Sequence, residues 1–364
     1  MHIQHFAAQR FRNIAQGEIE PCEGVNVIFG ENGQGKTNLL EALWLFTGCR
    51  SFRCAVTNEM VMEGCDRSRL KVNFISNERA QTASLEIGQK RALDLNGFAQ
   101  ETPRRMLGVF PAVAFTPATL SLVQGGPGER RRFLDVALSM LTPAYAVRLS
   151  KYLKALAQRN ALLRQGALLR QPEPDAALLE TWDASLAIEA AALTAARQRW
   201  LTQLIPAARE FYSGISNGRE QLHVEFIMSG AEELSQAGYL RAFERSRKSD
   251  LRRQMTCVGP HRDDLRLTLS GSNLRSFGSQ GQQRSAALAL KLAEAAVLRE
   301  VTGERPVALL DDVMSELDAG RQADLLRYLE GWQVFLTCCE PGHALHGQAG
   351  KIFFVNNGEL TIDR

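Results

Sequence analysis

Residues Gly30 to Thr37 read GENGQGKT, a G-x-x-x-x-G-K-T pattern set between an apolar run, VNVIF at 25–29, and a helix-forming run, NLLEALWLF at 38–46. Chemistry on phosphate groups requires that placement. Backbone N–H groups from Gly33 to Lys36 can wrap a phosphate, and glycine allows the backbone to come that close. The first N–H groups of the following helix lack partners of their own and add its positive end. On this reading Gly30, Glu31, Asn32, Gly33, Gln34 and Gly35 line a nucleoside triphosphate, Lys36 reaches its β- and γ-oxygens, and Thr37 ligates Mg²⁺.

Such a loop calls for a second element, an apolar strand ending in an acid that holds the metal's water shell. PVALLDDVMSELD, from Pro306, supplies one. Val307 to Leu310 reads as a buried parallel strand, with Asp311 at its carboxyl end for the metal. Asp312 is placed to orient or deprotonate the attacking water. Two adjacent buried carboxylates are costly without a cation, so the pair argues for metal. Read alone, LLDD is also what a strand end followed by a helix cap looks like.

A third polar stretch is SFGSQGQQRS, 276–285, which holds one apolar side chain and runs directly into the helix-forming AALALKLAEAAVLRE. Any helix needs a polar cap, and Ser279 would serve. With a nucleotide in play the same helix start is a second anion site, where Ser279 Oγ and Gly281 allow close approach.

These stretches must be held by elements from both ends of the chain. A length of 364 residues, with 45% hydrophobic and 23% charged residues, allows two globular domains. Strand-like runs gather in the outer thirds. VNVIF comes first, then RLKVNFIS and TASLEIG as a hairpin around NERAQ, and later LRLTL, a SGSN turn and LRSF, VALL, VFLTC, and KIFFV joined to ELTI by NNG. From about Ala144 to Ile215 the chain is rich in alanine, leucine, arginine and glutamine, and reads as helix broken near GALLRQPEPD. Leu179, Leu186, Leu193 and Trp200 recur every seven residues there, with Trp182 and Ala196 between them. That period fits a short coiled-coil-like arm or an ordinary amphipathic helix of a small bundle. The expected organisation is α/β, with 1–120 and 256–364 forming one unit and an arm-like helical hairpin inserted over 121–255.

No run approaches the ~18 apolar residues of a membrane helix, and MHIQHFAAQRFRN lacks a secretory layout, so a cytoplasmic protein without a membrane partner is expected. The seven cysteines, Cys22, Cys49, Cys54, Cys65, Cys257, Cys338 and Cys339, form no CxxC pair and suit small reduced thiols. A net charge of +3 is too mild to decide a nucleic-acid partner by itself.

The order of phosphate-binding loop, Ser-Gly-Gln turn opening a helix, two-acid strand and SELD resembles the ATP-binding-cassette ATPases. FRN at 11–13, GGPGERRRFLD at 125–135, GPHRDDL at 259–265 and SQGQQRSAALALKLA at 279–293 are similar to the RecF family of recombination mediators, related to the SMC proteins. The resemblance spans nearly the whole chain. It implies an ABC-type ATPase domain of mixed sheet and antiparallel β subdomain, binding ATP and Mg²⁺. It further implies an ATP-dependent homodimer in which Ser279, Gly281 and Gln282 contact the γ-phosphate held by the other subunit, while Ser315 to Asp318 communicate between the two sites. Binding to gapped or single-stranded DNA, cooperation with RecR and RecO, delivery of RecA and SOS induction are implied in the same way.

Two departures from the wider ATPase class point to weak, slow hydrolysis, with ATP acting as a clamp. Asp312 stands where transporters place glutamate, and no histidine follows Thr337 closely, since His343 and His346 come too late. Gln124 is a poor candidate for the glutamine that usually links nucleotide to helical domain.

For DNA, two basic clusters offer phosphate contacts: Arg130, Arg131 and Arg132, and the run RAFERSRKSDLRR with Arg247, Lys248, Arg252 and Arg253. The second is equally readable as a solvated helix face paired to Glu244 and Asp250. His261, Arg262, Asp263 and Asp264 read as a loop-ordering group in preference to a catalytic cluster. A transporter subunit and a structural SMC-like tether are the competing functions. The first lacks its partner segments, and the second needs helices far longer than the ~60 Å that 39 residues span.

Overall fold

The computed structural model describes residues 1–53, 58–168, 175–339 and 349–362. The centre of the expected helix break, together with His343 and His346, lies outside the described residues.

The chain opens with β1 (His2–Phe11), β2 (Ile14–Ile19) and β3 (Val25–Phe29), then α1 (Lys36–Trp44). Next come β4 (Ser68–Ser76), β5 (Arg79–Ile87), β6 (Arg91–Leu95), β7 (Phe98–Gln100) and β8 (Ala112–Phe115). The middle holds α2 (Ser121–Gln124), α3 (Pro127–Leu141), α4 (Pro143–Leu168), α5 (Ala176–Ile215), β9 (Leu222–Ile227) and α6 (Gln236–Arg253). The last part runs β10 (Asp264–Leu269), β11 (Ser272–Asn273), α7 (Leu274–Phe277), α8 (Gln280–Thr302), β12 (Val307–Leu310), α9 (Ala319–Tyr328), β13 (Val334–Cys338), β14 (Ala349–Asn356) and β15 (Glu359–Ile362).

The core sheet has the order β15-β14-β3-β13-β12-β8. All its pairs are parallel except β14 with β15. Every residue of β12 and β13 is buried, which explains why VALL and VFLTC are unbroken apolar runs instead of alternating ones. Because β3 comes from the first thirty residues and β12 to β14 from the last sixty, the two chain ends share one sheet.

A second sheet, β2-β1-β4-β5-β6-β7, is antiparallel throughout. Phe6 of β1 and Phe74 of β4 meet Phe46, just past α1, and Phe110 in edge-to-face and tilted ring contacts. Gln333 bonds the backbone of Ile3 in both directions, at 2.7 and 2.8 Å, tying this sheet to the start of β13. The architecture is therefore α/β, a mixed core sheet with an antiparallel β subdomain and a helical insert.

In the helical part, Leu179, Leu186, Leu193 and Trp200 are all buried. α5 packs against α4, α6 and α8 at once, so its seven-residue stripe faces a bundle. Ion pairs cross this interior. Arg159 of α4, fully buried, donates to Asp183 of α5 at 2.6 Å and to Asp250 of α6 at 2.7 Å. Breaking such a pair from one side costs ~3–5 kcal/mol, because a buried charge is left alone.

Three local features differ from the sequence reading. The middle segment contains a strand, β9, whose LHVEFI alternates buried and exposed residues at its start and pairs antiparallel with β10. LRSF is not a strand. Asn273 accepts hydrogen bonds from the N–H groups of Arg275 and Ser276 and turns it into the helical turn α7. Finally, α8 begins at Gln280, so most of the polar run lies inside the helix.

Candidate nucleotide site

Gly30 to Gly35 join the carboxyl end of β3 to α1. Gly35 sits at φ 120° as the first cap of α1, and a Cβ there would lie 2.7 Å from Asn13 Oδ1. Among the described residues no side chain caps this helix, nor α3, whereas Asp175, Ser235, Ser279 and Asp318 cap α5, α6, α8 and α9. The free N–H groups of α1 are thus left to a ligand. Lys36 is 7% exposed, and its ammonium donates to Gly30 O at 2.6 Å and Glu31 O at 2.9 Å.

Three segments brace the loop from outside. Asn13 donates from Nδ2 to Gln34 O at 2.9 Å and accepts from Asn38 at 2.7 Å. Asn357 N–H and Gly358 N–H, in the turn between β14 and β15, bond Gln34 Oε1 and Gln34 O at 2.5 and 3.0 Å. Cys339, just past β13, places its thiol 3.0 Å from Asn32 Oδ1 and 3.5 Å from Lys36 Nζ. In the sequence Asn13 stands out only as part of FRN; its contact with the loop explains that motif.

Asp311 lies across the sheet from the loop and meets it. Thr37 Oγ1 donates to Asp311 Oδ1 at 2.7 Å, and Thr337 Oγ1 approaches the same oxygen at 3.1 Å. Burial raises the Asp311 pKa; the two threonine hydroxyls and the charge of Arg53 act against that, and Asp312 adds to it. Arg53, which the sequence did not single out, also bonds Asn38 and stands 3.8 Å from buried Glu41. The arrangement fits a magnesium ion. A carboxylate disfavoured by burial already faces a threonine hydroxyl, and a cation would offset that penalty. The described residues offer no cluster of three acidic, histidine or cysteine ligands, so the other ligands would be phosphate oxygens and water.

Asp312 adopts φ 53°, a left-handed conformation uncommon outside glycine. Its N–H donates to Thr337 Oγ1 at 2.8 Å, and Ser315 Oγ lies 3.0 Å from Asp312 Oδ1. Thr337 therefore positions both acids.

At the start of α8, Ser279 and Gln282 form a capping box: Gln282 N–H donates to Ser279 Oγ at 3.2 Å, and Ser279 N–H to Gln282 Oε1 at 2.7 Å. Successive helical residues point about 100° apart, and the four polar side chains here reach different segments. Gln282 bonds Glu220; Gln283 bonds Leu274 O, Arg275 O and Gln124; Arg284 bonds Glu316 O; Ser285 accepts from Arg321. Among the described residues no hydrogen bond or ion pair joins Ser279, Gly281 or Gln282 to residues 30–37. Leu288 shares a cavity with Phe115 at the carboxyl end of β8. Ser279 precedes Leu288 by nine residues, roughly 13 Å along the helix.

The basic clusters divide. Arg130 is 7% exposed and bonds Asp264 through two nitrogens, at 2.7 and 3.0 Å, and Gly125 O at 3.0 Å. Its expected DNA contact is therefore corrected: the guanidinium is spent inside the fold. Arg131 bonds Asp263 O and exposed Arg132 bonds Ser51 O, both at 2.9 Å. On α6, Arg247 pairs with Asp183 at 3.1 Å. Lys248, Arg252 and Arg253 are exposed and have no hydrogen bond or ion pair among the described residues. The alternative pairing to Glu244 and Asp250 does not occur there, since Asp250 serves Arg159.

The 259–264 turn orders the loop. Tyr152 OH bonds His261 Nδ1 at 2.6 Å, and His261 Nε2 lies 3.0 Å from Thr256 O, so Nε2 carries the ring hydrogen. Asp263, fully buried, accepts from Arg197 and from Ser229 N–H, each at 2.9 Å.

The comparisons with known proteins agree with this geometry. Residues 2–359 match the family model described as RecF/RecN/SMC N terminal domain. The DNA replication and repair protein RecF of Heliobacterium modesticaldum is 40% identical over 99% of both chains, and that of Bacillus subtilis 36% identical over 99% of this chain and 100% of the relative. Solved structures of the recombination mediator protein RecF in the RecFOR pathway, RecF-ATP and RecF-ATPrS, superpose with a TM-score of 0.91 for each, at 33% and 32% identity, covering 100% of this chain and 98% of theirs. The Smc head domain of Pyrococcus furiosus, at 16% identity and a TM-score of 0.57, shares the fold. The chain belongs to the RecF family of DNA replication and repair proteins.

Proposed function

We propose that the chain is an ATP-dependent DNA-binding protein of recombinational repair, in which two copies close head to tail on ATP and Mg²⁺ and so clamp DNA. The observation that carries this reading is the position of the Ser279 turn. It is capped, stands at the start of α8 roughly 13 Å along the helix from Leu288, and among the described residues shares no hydrogen bond with residues 30–37. It is therefore free to complete a site on a second copy.

In each site Gly30 to Gly35 and the start of α1 would cradle the phosphates, with Lys36 leaving Gly30 O and Glu31 O for the phosphate oxygens. Thr37 and Asp311 would hold Mg²⁺, which supplies charge neutralisation to the β- and γ-phosphates. Ser279, Gly281 and Gln282 of the other copy would close over the γ-phosphate. Asp312, fixed by Thr337 and Ser315, would orient the attacking water in a weak DNA-dependent hydrolysis that opens the clamp. Lys248, Arg252 and Arg253 are the exposed cations offered to DNA phosphates, and recognition would be of backbone and gap structure. The family relation supports extending the proposal to work with RecR, RecO and RecA at gapped or single-stranded DNA, to SOS induction and to a cytoplasmic location. No described helix is long and apolar enough to cross a membrane.

The test is binding to gapped, single-stranded and double-stranded DNA with and without ATP, alongside a mass measurement. The reading predicts that ATP doubles the mass and tightens DNA binding together. ATP-independent binding by a species of constant mass would contradict it.

A further inference from the structure

One of the four side chains at the start of α8 leads away from the ATPase sheet. Gln282 donates from Nε2 to Glu220 Oε1 at 2.6 Å, and Glu220 Oε2 accepts from Tyr212 OH at 2.8 Å. The Gln282 amide is used at both ends, because its Oε1 holds the Ser279 N–H. Ser279, Gln282, Glu220 and Tyr212 thus form one unbroken run of hydrogen bonds. It ends in the last turns of α5, where Tyr212 is 1% exposed.

The same corner is fixed from its other side. Arg321 of α9 donates to Ser285 Oγ at 2.8 Å, pairs with Asp318, and packs so closely that a Cβ on Gly281 would lie 3.2 Å from its Nη2. Phe211 of α5 meets Tyr328 at the end of α9 edge to face, with centroids 4.9 Å apart. Glu220, Tyr212, Ser279, Gln282 and Arg321 line one polar cavity of about 390 Å³.

We propose that Glu220 is a positioning residue that couples the Ser279 turn to α5, so that closure of the turn on a second copy is transmitted along α5 into the helical bundle. The proposal rests on the reading of that turn as half of a shared site. A carboxylate between two neutral donors makes the stronger, charge-assisted kind of hydrogen bond, so neither end moves without the other. The far end is a 40-residue helix about 60 Å long, with Pro206 in its interior between Tyr212 and Asp183. On the far side of Pro206, Asp183 holds both Arg159 of α4 and Arg247 of α6, so a shift of α5 as a whole reaches the helix that carries the exposed cations.

The test compares Glu220→Ala, Glu220→Gln, Gln282→Ala and the double variant by ATP-dependent dimer affinity and by hydrogen exchange of amides 208–216. Glu220→Ala is expected to weaken the dimer roughly tenfold and to remove ATP-induced protection in α5. Glu220→Gln keeps an acceptor for Gln282 and should restore most of both, and the double variant should be no worse than Gln282→Ala alone. Additive effects, or full protection in Glu220→Ala, would overturn the coupling. Ser279→Arg, run alongside, separates the two levels. Parent-like dimerisation in that variant removes the shared site and the coupling with it, whereas loss there with normal Glu220→Ala behaviour removes the coupling alone.

Discussion

Thr37 Oγ1 donates to Asp311 Oδ1 at 2.7 Å across 274 positions of sequence, and this bond joins the first turn of α1 to the end of β12. The pair stands where a cation fits, with burial already working against the Asp311 charge. In Asp311→Asn that penalty disappears, so the nucleotide-free protein should melt no lower than the parent at pH 7. Its affinity for ATP should lose the enhancement given by Mg²⁺, by tenfold or more. Calorimetric titration with and without the metal checks both halves.

Asp312 is held at φ 53° by Thr337 and Ser315, a strained arrangement that aims one carboxylate. Replacing it with asparagine keeps the shape and removes the proposed base. Asp312→Asn should lower turnover by about 10² to 10⁴-fold and leave a long-lived ATP-bound dimer, read by phosphate release and sedimentation. Unchanged turnover would exclude it from the chemistry.

Arg130 and the α6 cations should separate cleanly. Arg130→Gln takes the guanidinium from the half-buried Asp264 and from the Leu122 and Gly125 carbonyls, which should cost about 1.5–3 kcal/mol of stability. Neutralising Lys248, Arg252 and Arg253 together should leave the melting temperature unchanged and reduce the slope of log affinity against log salt by up to about 3, near 0.9 for each DNA phosphate no longer neutralised. An unaltered slope would place DNA elsewhere.

His261 gives the pH dependence a sign. Burial pushes its imidazole down to about 4 from the ordinary value of 6.5; the charges of Arg262 and Arg131 add to this, while the hydrogen bond to Thr256 O and the charge of Asp250 act against it. The unfolded chain therefore binds the extra proton first. The stabilisation is present in full above pH ~6.5 and is lost as pH falls towards ~4, by up to about 3 kcal/mol. His261→Gln should flatten the melting-temperature profile in that window, and a parent-like profile would assign the acid loss to other groups.

Much of the ATPase core was legible because its elements announce themselves locally. VNVIF, GENGQGKT and the helix after them are contiguous, and VALLDD is a buried strand ending in acids whatever surrounds it. What stayed hidden depends on distant partners. LHVEFI became β9 only through β10, some forty residues on. Arg130 looked like one of three surface arginines, and only the approach of Asp264 shows that it is spent inside. Arg53 carries no pattern of its own and Asn13 only its place in FRN; both gain meaning from touching the loop and α1. In SFGSQGQQRS the polarity was plain, but its cause is the several segments it touches.

The claim that two copies share each site is tested most directly by mixing two inactive variants. Lys36→Met lacks a working loop but keeps an intact Ser279 turn, and Ser279→Arg is the reverse. Each alone with ATP and Mg²⁺ should sediment as a monomer. Mixed in equal amounts they can assemble one complete site, and a dimer containing both chains is predicted. Dimerisation of either variant alone at the parent's affinity, or no dimer in the mixture at any concentration where the parent associates, would contradict the account.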